Sequence, residues 1–433
     1  MARTAKKEQN LTIDEKLDQA LVPDVEQPFH VPQKWKWCYL RAFSDIKTGK
    51  KDANYGSANG KYFFFTCASE PIRCDGYSFE GKAILLAGNG DISNISLYEG
   101  KFEAYQRTYV LNIVPPLSTE FFYYYFKYRW VDYNINKIFG TAIPYIRLGN
   151  LQDFPVPLPP LAEQQRIVDR IENLFAKLDE AKEKAQAVVD GFEDRKAAIL
   201  HKAFTGKLTR SWAAQQGISV DAWQTKHFDN VAEVKSNLVD PAEYPDFPHI
   251  APDNIEKKTG KLLDYHTVAE DAVKSGKHRF YAGQILYSKI RPNLSKVVVI
   301  DFDGLCSADM YPIEPRDGMN TKFLWYYMLS DDFVLQASTA GSRSVLPKIN
   351  QKELASLKIQ ITELKEQEKV VAVLDKLFEK EQQAKDAAER VIDQIDSMKK
   401  SILARAFRGE LGTNDPNDES AVELLKRVLT EDV

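Results

Sequence analysis

The sequence predicts an α+β fold in which two mixed domains are separated by two long helices forming an antiparallel coiled coil, with an internal pseudo-twofold repeat. The main observation is that residues 161–209 and 364–412 align without a gap at an offset of 203 positions. Apolar residues also recur in heptads within both segments. Repetition at so long a period indicates duplication of a whole domain-plus-helix unit.

The repeated segments are predicted to be helices with an apolar seam. Charged residues fill the intervening positions, which is typical of a solvated helix surface. Neither segment contains proline, and Gly206 and Gly409 stand where a helix would end. About 40 residues make a rod of roughly 60 Å. Each seam needs a partner, so we expect the two copies to pair. The long domains between them allow either orientation, but a structure with each domain at an opposite end favours an antiparallel arrangement. The seam positions are Ile167, Ile171, Leu174, Leu178 and Val188 in the first copy, and Val370, Leu374, Leu377, Val391, Ile395 and Ile402 in the second.

The domains before the helices also repeat, though more loosely. Residues 119–125 match residues 321–327 at an offset of 202, and strands are expected at 110–114, 297–300 and 357–361. The predicted organisation is an N-terminal extension at 1–30, a first domain at 31–158, a helical spacer at 159–210, a second domain at 211–361, a second spacer at 362–411 and a tail at 412–433. The extension is expected to contain a short helix that packs near the other terminus.

An aromatic cluster at 121–128 has two interpretations. It could be a platform on which bases stack. Its counterpart at 323–328 is equally apolar, however, and so many adjacent aromatic side chains would not all remain exposed. A buried helix that supports the sheet is the better prediction.

Composition and charge exclude several classes of protein. With 44% hydrophobic residues and a mean hydropathy of −0.40, the chain is typical of a globular protein. No apolar stretch approaches the ~20 residues that span a bilayer. The four cysteines show no metal-site or disulfide spacing, so a reducing cytoplasm is expected. The net charge of −4 decides little, because residues 31–155 carry 15 Lys and Arg against 11 Asp and Glu while residues 212–360 carry 17 against 19.

Catalytic motifs are missing from the sequence. It contains no Asn-Pro-Pro-Tyr or Asp-Pro-Pro-Tyr motif of amino-methyltransferases and no Gly-x-x-x-x-Gly-Lys-Ser/Thr loop. The six histidines form no metal-ligand spacing. We therefore predict no catalytic residues, no metal and no cofactor in this chain.

Several motifs resemble those of a known family. The run at 154–168, continuing to 196–208, is similar to the conserved region of specificity subunits from type I restriction–modification systems. The second copy, at 364–371 and 406–411, resembles the same region, and 419–429 is similar to the family's usual ending. The likeness covers nearly the whole chain.

The resemblance implies a non-catalytic, prokaryotic, cytoplasmic subunit that binds double-stranded DNA. Each domain would read one half of an asymmetric bipartite target, and the coiled coil would set the spacer. The chain would scaffold two methyltransferase subunits and, in the full complex, restriction subunits, with S-adenosylmethionine, ATP and Mg bound in those partners. Two alternatives belong to other classes of protein. One is an enzyme, either a fused methyltransferase–recognition protein or a nuclease, and the missing catalytic motifs argue strongly against it. The other is a structural coiled-coil adaptor without sequence-specific DNA reading.

DNA contacts require Arg, Lys, Asn or Gln side chains projecting from loops. A turn at Pro292 and Asn293 is expected to project Arg291. The candidates are Lys47, Lys50, Lys51, Asn54, Tyr55, Asn89, Gln106 and Arg107 in the first domain, and Lys257, Lys258, Lys289, Arg291, Asn293 and Arg343 in the second.

Overall fold

The chain forms two compact units in the computed structural model, which describes residues 11–219, 222–340 and 347–430. The first unit comprises residues 1–184 with 391–433, and the second comprises residues 185–390. Each unit contains one mixed domain, the beginning of one long helical segment and the end of the other. The predicted α+β class is confirmed.

The described helices are α1 (Ile13–Ala20), α2 (Thr119–Asn134), α3 (Leu148–Gln152), α4 (Leu161–Asp190), α5 (Phe192–Phe204), α6 (Arg210–Gln215), α7 (Thr321–Met328), α8 (Asp331–Ala340), α9 (Gln351–Ala355), α10 (Leu364–Phe407) and α11 (Ala421–Thr430). The second repeated segment is one continuous helix of 44 residues. The first is interrupted at Gly191, where φ is −80° and ψ is 2°. Glycine is a poor helix former, whereas its counterpart, Gln394, is a good one.

The first domain is built on a six-stranded sheet with strand order β2-β7-β5-β6-β3-β4 and a β1–β8 ribbon. The ribbon pairs Lys36 with Leu158, so it joins the start of the domain to the segment that leads into α4. These strands are β1 (Lys36–Tyr39), β2 (Ser44–Thr48), β3 (Tyr62–Phe65), β4 (Ile72–Cys74), β5 (Phe79–Ala87), β6 (Ile95–Ala104), β7 (Thr108–Ile113) and β8 (Pro155–Leu158).

The second domain contains a four-stranded sheet, β10-β18-β15-β16, a five-stranded sheet, β11-β14-β17-β12-β13, and a β9–β19 ribbon equivalent to β1–β8. Strands occur at all three predicted positions. The strands are β9 (Gln224–His227), β10 (Ala232–Val234), β11 (Leu238–Val239), β12 (Pro248–Ile250), β13 (His266–Thr267), β14 (Lys277–Phe280), β15 (Ile285–Ser288), β16 (Val297–Val299), β17 (Gly304–Cys306), β18 (Met310–Pro315) and β19 (Lys358–Ile361).

The aromatic clusters lie on α2 and α7 and form the centre of each core. Phe121 and Phe122 on α2 are fully buried, as are Phe323 and Leu324 on α7. This confirms the prediction of supporting helices, because buried rings cannot stack on bases.

The long helices pair antiparallel within each unit. In the second unit, Phe192 contacts Lys385, with the ammonium 4.9 Å from the ring centroid. Further along α5, Arg195 Nε donates to Glu381 at 2.7 Å. In the first unit, Lys399 of α10 forms an ion pair with Asp179 of α4 at 2.5 Å. As the residue number rises on one helix it falls on the other, as the predicted antiparallel coiled coil requires.

The predicted seam is wrong at Val391. This side chain is 42% exposed, whereas Ile395 is 1% exposed and Ile392 is half-buried. After the buried Ala388, the next inward-facing residue is Ile392, four positions later. The prediction placed it three positions later, at Val391. The other predicted seam residues are buried or half-buried.

A buried glutamate stands in the first turn of each long helix. Glu163 accepts hydrogen bonds from Trp35 Nε1 at 2.8 Å, from Thr413 Oγ1 at 3.1 Å and from Asn414 Nδ2 at 2.7 Å. Burial raises the pKa of Glu163. Its counterpart Glu366 accepts from Thr209 Oγ1 at 2.7 Å. Glu163, at the start of the first repeated helix, therefore binds the segment after the second one. Glu366, at the start of the second, binds the segment after the first.

The glutamine after each glutamate binds the adjoining domain. Gln164 Oε1 accepts from the Ser118 backbone at 3.0 Å, and Gln367 Oε1 accepts from the Asn320 backbone at 2.9 Å. Ser118 and Asn320 are the N-caps of the aromatic helices α2 and α7. The repeated Glu-Gln pair thus holds helix and domain together in both units.

Helices α1 and α11 pack together in the first unit. Lys16 Nζ of α1 donates to the Leu429 carbonyl of α11 at 3.1 Å, and the Ala421 backbone donates to Lys34 at 3.0 Å. The prediction that the N-terminal extension packs near the other terminus is confirmed.

Replacing Glu163 with Leu should lower the free energy of unfolding on the order of 3 kcal/mol, because the buried donors Trp35 and Thr413 lose their acceptor. Urea unfolding followed by tryptophan fluorescence measures this. Glu183→Leu, at an exposed position on the same helix, is the matched control. Equal stabilities of the two variants would contradict the role assigned to Glu163.

Candidate nucleic-acid interface

Three loops of the first domain meet beside the end of β5. The Gln106 backbone donates to the Lys51 carbonyl at 2.9 Å, and the Gly88 backbone donates to the Arg107 carbonyl at 2.8 Å. These bonds join the loop after β2, the β5–β6 turn and the β6–β7 turn. We call their exposed face the first loop surface; it comprises Lys50, Lys51, Asn54, Tyr55, Asn89, Gln106 and Arg107.

The structure brings together all the first-domain candidates except Lys47. That residue lies on β2, and Asp45 on the same strand pairs with its ammonium at 2.5 Å. Within the surface, Lys51 Nζ lies 4.4 Å from the centroid of the Tyr55 ring. Gln106 Nε2 donates to Asp52 at 2.9 Å, whereas Lys50 and Asn54 are exposed.

Sequence reasoning missed Arg147. The segment before it adds an edge to the first loop surface, since the Gly90 backbone donates to Pro144 at 2.8 Å and the Ile146 backbone donates to Gly88 at 2.9 Å. The exposed Arg147 guanidinium lies 3.9 Å over the Phe139 ring. A signal was present, because this segment aligns with the one that contains the candidate Arg343.

The second domain repeats this backbone arrangement with different side chains. The Arg291 backbone donates to Pro347 at 2.8 Å, and the Ile349 backbone donates to Lys289 at 2.9 Å. Arg291 therefore takes the place of Gly90, and Lys289 takes that of Gly88. The Lys258 backbone donates to Leu294 at 3.1 Å, which adds a further segment.

The second loop surface consists of four exposed candidates. Arg343 lies outside the described residues. The four are Lys257, Lys258, Arg291 and Asn293.

Backbone strain is concentrated in this second surface. Arg291 has a φ of 48° where the first domain has Gly90 at 72°. Of the four described non-glycine residues with positive φ, Lys258, Arg291 and Ser295 belong to this surface or adjoin it. A left-handed backbone costs a non-glycine residue about 1–2 kcal/mol, and such strain clusters at functional sites. Within the described chain the Arg291 side chain makes no hydrogen bond or ion pair. The residue at this strained position therefore has a free guanidinium.

The structure does not support Lys289 as a DNA contact. Its side chain is 14% exposed, its Nζ donates to the Ala308 carbonyl, and burial lowers the pKa of its amine. This lysine supports the turn beneath Arg291.

Two other observations limit the chemistry of the described chain. Residues 11–219, 222–340 and 347–430 contain no group of three or more His, Cys, Asp or Glu arranged to hold a metal ion. Among the same residues, none of the helices is both long and apolar enough to cross a membrane.

Comparison with known proteins identifies the family. Residues 32–189 and 221–390 match the model of the type I restriction modification DNA specificity domain. The chain is 38% identical to the Escherichia coli type I restriction enzyme EcoDI specificity subunit, over 93% of this chain and 96% of the relative. It is 21% identical to the EcoKI specificity subunit of Escherichia coli K12, over 67% of each chain. The chain belongs to the family of type I restriction–modification specificity proteins.

Solved structures support the same fold. The HsdS subunit from Thermoanaerobacter tengcongensis matches with a TM-score of 0.62 at 18% identity, covering 89% of this chain and 100% of that one. A chain from a structural study of complex assembly in a type I restriction–modification system matches with a TM-score of 0.60 at 18% identity. Specificity subunits are the non-catalytic members of such systems, which agrees with the expectation that this chain is not an enzyme.

Arg291→Gly should be more stable than Arg291→Ala by about 1 kcal/mol, because both remove the side chain and only glycine relieves the left-handed backbone. Thermal or urea unfolding measures the difference. At Glu183, inside α4, the order should be reversed, with Ala about 1 kcal/mol more stable than Gly. The same order at both positions would contradict the strain assigned to Arg291.

Proposed function

We propose that this chain reads a split DNA sequence, with the first loop surface on one half-site and the second loop surface on the other. The observation that supports this most is the backbone arrangement that the two domains share. Where the first domain has Gly88 and Gly90, the second has Lys289 and Arg291. Equivalent loops with unlike side chains suit an asymmetric target.

The chemistry of both surfaces fits duplex DNA. Lysines such as Lys50 and Lys257 suit phosphate oxygens, which position a protein without reading sequence. An arginine can donate two hydrogen bonds to guanine in the major groove, and an asparagine can pair with adenine in the same way. The net charge of the chain is negative, but DNA binding depends on the charge of the contacting surface. The lysines and arginines of the two loop surfaces therefore make the net charge compatible with this function.

The long helices would fix the distance between half-sites. An inserted residue would rotate the following seam by about 100° and shift it by about 1.5 Å. Ion pairs such as Arg195–Glu381 and Asp179–Lys399 would then lose register. Rigid pairing of the helices therefore favours one spacer length.

The chain would act within a larger complex in the prokaryotic cytoplasm. We assign it two methyltransferase subunits, and restriction subunits in the full complex. S-adenosylmethionine, ATP and Mg would be bound by those partners. The relatives are specificity subunits of restriction enzymes, which supports assembly of this kind.

Mapping methylated adenines across the genome with and without this chain tests the function directly. We expect one bipartite motif to disappear when the gene is deleted and to return when it is restored. An unchanged methylation pattern would overturn the proposal.

Replacing Arg291 with Ala should relax one position of a single half-site by about 1–3 kcal/mol of discrimination. Arg291→Gly should relax the same position although its backbone is unstrained, which separates the side chain's role from folding. Methylation rates on a set of single-base variants of the target measure both changes. If both variants keep the wild-type preference, Arg291 does not read a base.

Converting Lys257 and Lys258 together to Ala should reduce the salt dependence of DNA binding by about two in log–log slope, one for each phosphate contact. Lys289→Ala should leave that slope unchanged and lower stability, because this amine is buried. Fluorescence anisotropy of the assembled methyltransferase at several salt concentrations measures the slopes. Equal effects of Lys289→Ala and the double variant would contradict the assignment.

A further inference from the structure

The repeat is broken at the end of the aromatic helices. In the first unit, the Tyr128 ring stacks on Phe407 at 5.8 Å with an interplanar angle of 12°. The equivalent helix, α7, ends at Met328, and the position that corresponds to Tyr128 is Ser330. The Phe204 ring in the second unit therefore lacks the covering ring that Phe407 has.

The surrounding contacts establish this equivalence. Tyr125 lies 5.0 Å from Phe407 at 72°, and Tyr327 lies 5.0 Å from Phe204 at 88°. One turn earlier, Phe121 lies 5.3 Å from Phe407, and Phe323 lies 5.2 Å from Phe204. Two of the three rings that cover Phe407 are thus reproduced around Phe204, and the third is missing.

A cavity of about 730 Å³ occupies this position in the second unit. Ala197, Leu200 and Phe204 of α5 form one wall, and Trp223, Tyr327 and Ser330 form the other. Trp223 is half-buried, whereas its counterpart Trp35 is 2% exposed.

The two tryptophans differ because of the buried glutamates. In the first unit, Trp35 Nε1 donates to Glu163 at 2.8 Å. In the second, Glu366 accepts from Thr209 at 2.7 Å and from Thr362 at 2.6 Å. Trp223 lies instead along the cavity, and its ring adds apolar surface there.

Several polar groups of the lining are already paired with the chain itself. Thr205 Oγ1 donates to the His201 carbonyl at 2.8 Å, and Tyr327 donates to Asp332 at 2.5 Å. The lining also carries charged side chains, namely Lys202, Lys207 and, at the start of α8, Asp331. The walls formed by Leu200, Phe204 and Trp223 offer ring faces and apolar edges, which select an occupant by shape more than by hydrogen bonds.

We propose that this pocket receives an aromatic side chain from the methyltransferase subunit bound at the second unit. Tyr128 indicates which group fits, because a tyrosine ring fills the equivalent position of the first unit. A cavity lined by aromatic rings is typical of a site where a partner protein inserts an anchor residue. The identity of the partner rests on the proposed function, whereas the preference for an aromatic ring rests on the internal repeat.

Ser330→Tyr restores the residue found in the first unit and should close the pocket. Native mass spectrometry of the chain titrated with its methyltransferase subunit measures the affinity at each site. We expect the wild type and the matched control Ser330→Ala to bind two subunits. Ser330→Tyr should weaken one of the two sites at least 10-fold, as loss of an interface anchor does, and should leave the other unchanged.

Ala197→Phe fills the pocket from the opposite wall and serves as a second variant if Ser330→Tyr does not fold. The probe p-cresol, which represents a free tyrosine ring, should compete with the methyltransferase at one site only. Wild-type affinity at both sites in both folded variants would overturn the proposal, as would p-cresol binding that leaves methyltransferase affinity unaltered. If wild-type chain bound no methyltransferase, the proposed function itself would be wrong.

Discussion

The rest of the structure depends on one buried carboxylate per unit, at the start of each long helix. A buried charge is tolerated only when hydrogen bonds surround it, so Glu163 requires all of its donors in place. Those donors come from Trp35 at the start of the domain and from Thr413 and Asn414 beyond the end of the other helix. Three segments far apart in sequence are therefore joined at one point. The neighbouring Gln164 extends the joint to the aromatic helix.

This joint separates the conserved part of the repeat from the divergent part. The helices, the Glu-Gln pair and the aromatic rings against Phe407 and Phe204 recur with nearly the same geometry. The sheets do not, because one domain has a six-stranded sheet and the other has sheets of four and five strands. Loops on these sheets could change side chains, as Gly90 and Arg291 did, without disturbing the joint. A constant frame with variable reading surfaces is what two unlike half-sites require.

Much of the fold could be predicted because its signals are periodic or repeated. The helices, their antiparallel pairing and the buried aromatic helices all follow from spacing and from comparison of the two copies. The seam position at Val391 was predicted wrongly because Val391 and Ile392 are both apolar, so the spacing offered two neighbouring residues for one inward position. The inward direction of Lys289 depends on Ala308, a residue of another segment, so no local pattern reveals it. The left-handed backbone of Arg291 could not be predicted, because only the structure shows that Arg291 and Gly90 occupy equivalent positions.

The packing of α11 on α1 has a consequence for synthesis. The second unit is one continuous stretch, residues 185–390, so all of it has been made before the last helix is complete. The first unit needs residues 391–433, including α11, which packs on α1. The first domain is therefore synthesised before the second, but its unit can complete folding only after residues 391–433 have been made. A chain cut short near its C-terminus would lose the closure of its N-terminal domain and retain the second unit intact.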